Sequence, residues 1–217
     1  MNYKNILIFA LLLGVPLSWS LIGSVKQADN KKIIKIILGS TRQGRMSDKI
    51  GAALQKMASK RTDVRVEIAD LRDYNLPFLN DAISPIYRKE ITDPVIQKWS
   101  DTIQKADAFI IVVPEYNAGY PGVLKNALDL LYEEWNKKPV AFVGYSGGKN
   151  GGANAVAQLR HVVKELKMIP VSAELLIPSS WGAFDSKGQL QDVKIEKALN
   201  TMIDQLIAQS ASQTLIT

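Results

Sequence analysis

The sequence predicts an α/β fold, an open parallel sheet of five strands covered by helices on both faces. Three observations carry that expectation. Beyond Asn30, short apolar β-branched runs alternate with amphipathic stretches at helical spacing, the pattern of successive βαβ units. The most apolar of these runs, Ala108–Val113, lacks polar alternation, as a strand buried on both faces does. Finally, 217 residues at 47% hydrophobic and 22% charged suffice to close one core, and exclude a disordered or collagen-like chain.

The elements follow in order. Ile33–Leu38 forms the first strand and stops at Gly39-Ser40. Ile50, Ala53, Leu54, Met57 and Ala58 then share one helical face, with Ser47 placed as the N-cap. Val64–Ile68 alternates with period two, as a strand nearer the sheet edge does. Pro77, Pro85 and Pro94 make residues 70–94 a long irregular connection. A helix over about 95–106 leads into Ala108–Val113, the expected central strand. Pro114-Glu115-Tyr116-Asn117 and Gly119-Tyr120-Pro121-Gly122 open the next helix, whose stripe is Val123, Leu124, Ala127, Leu128 and Leu131. Pro139–Val143 is the fourth strand and runs into the glycine-rich residues 144–152. Val156, Leu159, Val163 and Leu166 mark a helix, Val171–Leu176 the fifth strand, and Leu199, Met202, Ile203, Leu206 and Ile207 the last helix.

Residues 1–30 are set apart from residues 31–217. Ile6–Ile22 is a hydrophobic tract at the lower limit for spanning a bilayer, preceded by Lys4 and broken by Gly14 and Pro16. A cleaved signal peptide, with Ser18-Trp19-Ser20 as its small-residue site, fits this tract. So do an uncleaved anchor and an upstream start that adds a segment the fold ignores. Lys26, Lys31, Lys32 and Lys35 outnumber the charges before the tract and favour retention of the following domain inside. The expected location is therefore cytoplasmic, with membrane attachment through residues 6–22; export after signal cleavage is the alternative.

Composition narrows the chemistry. No cysteine excludes disulfide scaffolds, thiol catalysis and cysteine-ligated metal, and one histidine, His161, removes most histidine chemistry. No metal site is expected. The net charge is +6, from 27 basic and 21 acidic residues, but it is spread along the chain, so no nucleic-acid partner is expected. A modest basic excess suits an anionic cofactor.

Three loops after strands carry unusual chemistry, and in a parallel sheet they share one edge. The first runs from Gly39 to Ser47. Its hydroxyls at Ser40, Thr41 and Ser47, its Arg42 and Arg45, and the following helix start suit a phosphate. Gly39 and Gly44 have P-loop spacing, yet Arg45-Met46 stand where Lys-Ser/Thr would hold nucleotide and Mg²⁺, and no G-x-G-x-x-G is present. A single phosphate bound without metal remains, beside the plainer reading of a solvated turn with an ordinary cap. The second loop, Pro114-Glu115-Tyr116-Asn117, sets an aromatic face next to amide groups and suits a planar heteroaromatic ring. In the third, Tyr145-Ser146-Gly147-Gly148, backbone amides stand free of side chains and can approach a ring edge. Phosphate and ring on one rim describe a mononucleotide such as FMN.

The set G-S-T-R-x-x-R-x-S at Gly39–Ser47, P-E-Y-N at Pro114–Asn117, P-G-x-L-K-N-A-x-D at Pro121–Asp129 and Y-S-G-G-K-x-G-G from Tyr145 resembles the NAD(P)H-dependent FMN reductase family. That family includes flavodoxin-like quinone, azo-dye and chromate reductases. The likeness covers about residues 31–209. It implies a flavodoxin-like three-layer sandwich with strand order 2-1-3-4-5, FMN as cofactor and NADPH or NADH as co-substrate. It implies that Ser40, Arg42 and Ser47 hold the FMN phosphate, that Pro114, Glu115, Tyr116 and Asn117 line the isoalloxazine, and that Ser146, Gly147 and Gly148 lie near its pyrimidine edge. Family members are commonly dimers or tetramers and pass electrons to a small-molecule acceptor. The hydrophobic amino-terminal tract departs from the usual pattern.

In that setting the chemistry belongs to the flavin, and no catalytic side chain is assigned, since water can supply protons. Glu115 is expected in an ion pair or subunit contact rather than as a catalytic carboxylate. His161 is expected exposed and structural. Tyr132, Trp135 and Trp181 either cover the cleft or pack in the core or an interface, and Arg45 either faces a nicotinamide phosphate or is a solvated charge. Two rivals stand beside the reductase. An electron-transfer module without its own NAD(P)H oxidation is disfavoured by the basic balance, because such carriers are usually acidic. A membrane-tethered FMN-binding protein without redox chemistry uses the same fold.

Overall fold

A computed structural model describes residues 31–186, 189–190 and 193–214. The amino-terminal tract and its expected roles lie outside the described residues. Among the described residues no helix is long and apolar enough to cross a membrane.

Five strands, β1 (Lys32–Leu38), β2 (Val64–Asp70), β3 (Ala108–Pro114), β4 (Pro139–Tyr145) and β5 (Ile169–Ile177), form one sheet in the order β2-β1-β3-β4-β5. Every pairing is parallel. The expected order holds. β3 and β4 are buried at every position, whereas β2 and β5, at the edges, alternate with exposed residues. That difference is the physical origin of the uninterrupted apolar run at Ala108–Val113 and the period-two pattern at Val64–Ile68.

Among the described residues, five helices cover the sheet: α1 (Ser47–Ala58), α2 (Pro94–Gln104), α3 (Gly122–Asp129), α4 (Ala153–Glu165) and α5 (Val193–Thr214). Two cores result, one per face. Ile50 and Leu54 of α1 and Leu199, Met202, Ile203 and Leu206 of α5 pack against Ile36, Ile110, Ala141 and Val143. On the other face, α2, α3 and α4 enclose Ile37, Phe109, Ile111 and Phe142 with Trp99 and Trp135. The two indoles meet edge to face at 6.0 Å, and their N–H groups donate to Ala127 O at 2.8 Å and Leu128 O at 3.1 Å. Trp135 is thus a core residue, which resolves its two expected placements. Residues 71–93 carry only short 3-10 turns at Leu71–Asp73 and Pro85–Tyr87, as their prolines predict.

Strand order reverses between β1 and β3. The chain leaves β1 toward β2 on one side and returns to β3 on the other, so a crevice opens beyond Leu38 and Pro114. The three loops singled out above follow β1, β3 and β4 and meet there.

Candidate functional site

The first loop leaves β1 through a bond from Gly39 N to Val112 O at 2.9 Å. Ser40 is fully buried, and its Oγ lies 2.7 Å from the Tyr116 hydroxyl, so the first and second loops are in direct contact. Arg42 is exposed, and its guanidinium stands over the Tyr116 ring at 5.4 Å from the centroid. Ser47 differs from expectation. The cap position belongs to Met46, whose dihedrals are already helical and whose side chain makes no cap hydrogen bond. Ser47 is the first helical residue, fully buried, and its hydroxyl has no partner among the described residues. The start of α1 is therefore left with amides that its cap side chain does not satisfy.

Arg45 meets neither of its expected fates. Its side chain is completely buried and pairs with Asp48 and with Asp70 at the end of β2, while Nη1 donates to Ser40 O. Burial disfavours its charge, but hydrogen bonds to Asp70 and Asp48 outweigh that and raise its pKa. Arg72 completes the clamp from outside, donating to Thr41 O at 3.3 Å and to Arg42 O. Two guanidinium groups thus hold the carbonyls of the first loop inward or sideways, which leaves its hydroxyls and Arg42 for a ligand.

The second loop is a two-residue hairpin. Tyr116 N donates to Gly119 O at 2.8 Å and Gly119 N to Tyr116 O at 3.1 Å, with Asn117 and Ala118 at φ of 52° and 61°. This is a type I′ turn, and asparagine at its exposed tip suits the left-handed backbone. Gln158 of α4 latches it through Ala118 O at 2.8 Å. The turn brings Tyr116 beside Ser40.

Glu115 makes no ion pair among the described residues. Its carboxylate accepts from Asn150 Nδ2 at 2.7 Å, Asn154 Nδ2 at 2.9 Å and Asn154 N at 3.0 Å, in the first turn of α4. Burial pushes its pKa up, but the bonds from Asn154, Asn150 and the helix amides prevail and hold it below the usual carboxylate range. Glu115 is therefore a strut that ties the second loop to the third.

In the third loop the Ser146 hydroxyl donates to Asn150 Oδ1 at 2.8 Å or Gly148 O at 3.1 Å. The turn after β5 braces this loop, with Ser180 N donating to Ser146 O and Ser179 N to Gly148 O, both at 2.9 Å. Gly147 and Gly148 are exposed, and their amides make no hydrogen bond to the described residues.

The three loops enclose an open cleft of about 140 Å³. Arg42, Pro114, Glu115, Tyr116, Ser146 and Gly147 line it, whereas Ser40 and Ser47, both buried, and Asn117 and Gly148, both exposed, are not among the lining residues. The lining also includes residues outside the set assigned from the sequence, among them Tyr145, at the end of β4, and Trp181, 68% exposed beside Gly147. Tyr145, read from the sequence as the first residue of the third loop, is instead the last residue of β4; Trp181 lines the cleft, one of its expected placements. His161 is exposed on α4, as expected. A larger concavity, about 660 Å³ along α2 and Glu133–Lys138, contains none of the residues brought together here.

With this geometry established, the chain can be compared with known proteins. Residues 32–182 match the model of the NADPH-dependent FMN reductase family. The chain belongs to that family. An NAD(P)H-dependent FMN reductase of Schizosaccharomyces pombe is 38% identical over 148 residues, 67% of this chain and 73% of the relative. A 2-hydroxy-1,4-benzoquinone reductase of Burkholderia sp is 29% identical over 184 residues, 81% of this chain and 94% of the relative. Among solved structures, a flavoenzyme NAD(P)H:(acceptor) oxidoreductase of Paracoccus denitrificans superposes with a TM-score of 0.68 at 28% identity, covering 82% of this chain and 98% of that one. Among the described residues no group of three or more His, Cys, Asp or Glu side chains could hold a metal ion.

Proposed function

We infer that this FMN-dependent NAD(P)H oxidoreductase binds FMN across the rim cleft and delivers two electrons to a quinone or a similar small acceptor. The observation that carries the placement is the contact between Ser40 and Tyr116, which joins the first and second loops at the switch point. A phosphomonoester at the start of α1 meets Arg42, the hydroxyls of Ser40 and Ser47 and unpaired helix amides. From there Pro114, Glu115, Tyr116 and Asn117 frame the isoalloxazine, and Ser146, Gly147 and Gly148 face its pyrimidine edge. When bound, FMN supplies the two-electron chemistry that links the nicotinamide to the acceptor. The protein's part is to hold the ring against the second loop, keep water off the covered face and point the Gly147 and Gly148 amides at developing charge. Glu115, spent on α4, keeps the second and third loops in register. Titration of the purified protein with FMN, followed by flavin fluorescence, together with NADPH oxidation in the presence of a quinone, tests this reading. Quenching and turnover are expected; no quenching and no NADPH oxidation with FMN supplied would sink it.

The protein is further proposed to pair with a second copy through residues 78–87. Phe78, Leu79, Ile83, Ile86 and Tyr87 expose large apolar side chains within ten positions, Phe78 by 83% and Tyr87 by 75%. Such a patch is unfavourable in water unless covered. Sedimentation is expected to give a dimer and the Phe78→Asp variant a monomer; a wild-type monomer at every concentration refutes the pairing.

A further inference from the structure

Tyr145 ends β4 on the face shared with α1, two residues beyond the buried Val143. Its ring is packed, with 5% of the residue exposed, and its hydroxyl reaches the hydroxyl and backbone amide of Ser47. Neither the Tyr145 nor the Ser47 hydroxyl has a hydrogen-bond partner of ordinary geometry among the described residues. Two hydroxyls side by side can spend only one of their two protons on each other, so the pair at the helix start still has a proton to donate and calls for an acceptor. The backbone that carries the ring is held in place. Glu115 N holds Tyr145 O at 3.0 Å, and the Gly152 backbone packs directly against Tyr145 N.

We propose that the Tyr145 hydroxyl, together with that of Ser47, donates to the phosphomonoester at the start of α1 and so makes the site select phosphorylated over dephosphorylated flavin. This rests on the FMN placement above. Phosphate oxygens accept hydrogen bonds and offer no donor when ionised, so a neutral phenol is the complementary group. Burial first, and then Tyr116, push the Tyr145 pKa up to about 12 against the lowering effect of Ser47 and Arg45, so the hydroxyl keeps its proton across the physiological range. Tyr145 lines the same cleft as Arg42 and as Gly44, Arg45 and Met46, which lead into α1.

The test compares FMN with riboflavin. Both are titrated into the wild-type protein and into Tyr145→Phe, which keeps the ring, with flavin fluorescence as the readout and inorganic phosphate as competitor. The FMN dissociation constant is expected to rise about tenfold, while that of riboflavin changes by no more than about twofold. Inorganic phosphate should compete less well in the variant. Ser47→Ala, a smaller change at a buried site, is expected to give the same pattern and serves if Tyr145→Phe folds poorly. Unchanged FMN affinity, or equal losses for the two flavins, overturns the proposal. A wild-type protein that binds neither flavin overturns the FMN placement itself, and the role of Tyr145 with it.

Discussion

Replacing Arg45 by methionine is expected to lower the unfolding free energy by about 3 kcal/mol, because it removes one partner of a buried ionic cluster and leaves the others in place. Methionine fills much of the same volume, so the loss is electrostatic rather than steric. Asp70, only 19% exposed at its side chain, loses its guanidinium, and so does the inward Ser40 carbonyl. Asp48, nearly half exposed, turns to water at little cost. Function suffers by a separate route. With Ser40 O released, only Arg72 still clamps the first loop, from the outside, and Ser40 drifts from Tyr116. A displacement of this kind is expected to weaken FMN binding by about tenfold or more. Urea denaturation and FMN titration measure the two effects. A stability loss below about 1 kcal/mol, the range of exposed ion pairs, would mean that the cluster is hydrated and that the loop is held by other means.

Arg45 also illustrates where sequence reasoning stops. The strand order is implied by the family resemblance, whereas the five parallel strands, the central place of Ala108–Val113 and the convergence of three loops on one edge all follow from periodicity and from the rules of parallel sheets. They are legible because each depends on a pattern several residues long. The partners of a single long side chain are not. Whether Arg45 faces solvent, a ligand or Asp70 depends on a carboxylate 25 positions away, brought near by the β1–β2 pairing. Glu115 is the same case, since its acceptors' partners Asn150 and Asn154 lie on the next strand-loop-helix unit. Ser47 fails for a different reason. A serine at a helix start favours a cap, but shifting the helix boundary by one residue turns the cap into a buried hydroxyl inside the first turn.

The glycine-rich stretch after β4 holds two kinds of glycine that look alike in the sequence, and Gly152→Ala is expected to separate them. Gly152 has φ of 89° and opens α4. A Cβ there would lie 2.6 Å from Tyr145 N and 3.0 Å from Gly144 C and Cα, all backbone atoms of a fully buried strand. Neither neighbour can yield without breaking the β4 pairing, so overpacking adds to left-handed strain and the expected loss is about 3 kcal/mol or more. Tyr145 would move with it, so FMN affinity should fall in parallel. At Gly148 the nearest atom to an added Cβ is Ser146 Oγ at 3.9 Å, and Gly148→Ala should change stability by less than about 0.5 kcal/mol. Thermal unfolding of the two variants decides the matter. Equal losses would show that the stretch acts as one flexible loop; the expected disparity assigns Gly152 to the scaffold that seats Tyr145 and leaves Gly148 on the open margin, where its amide is free to meet a ring edge.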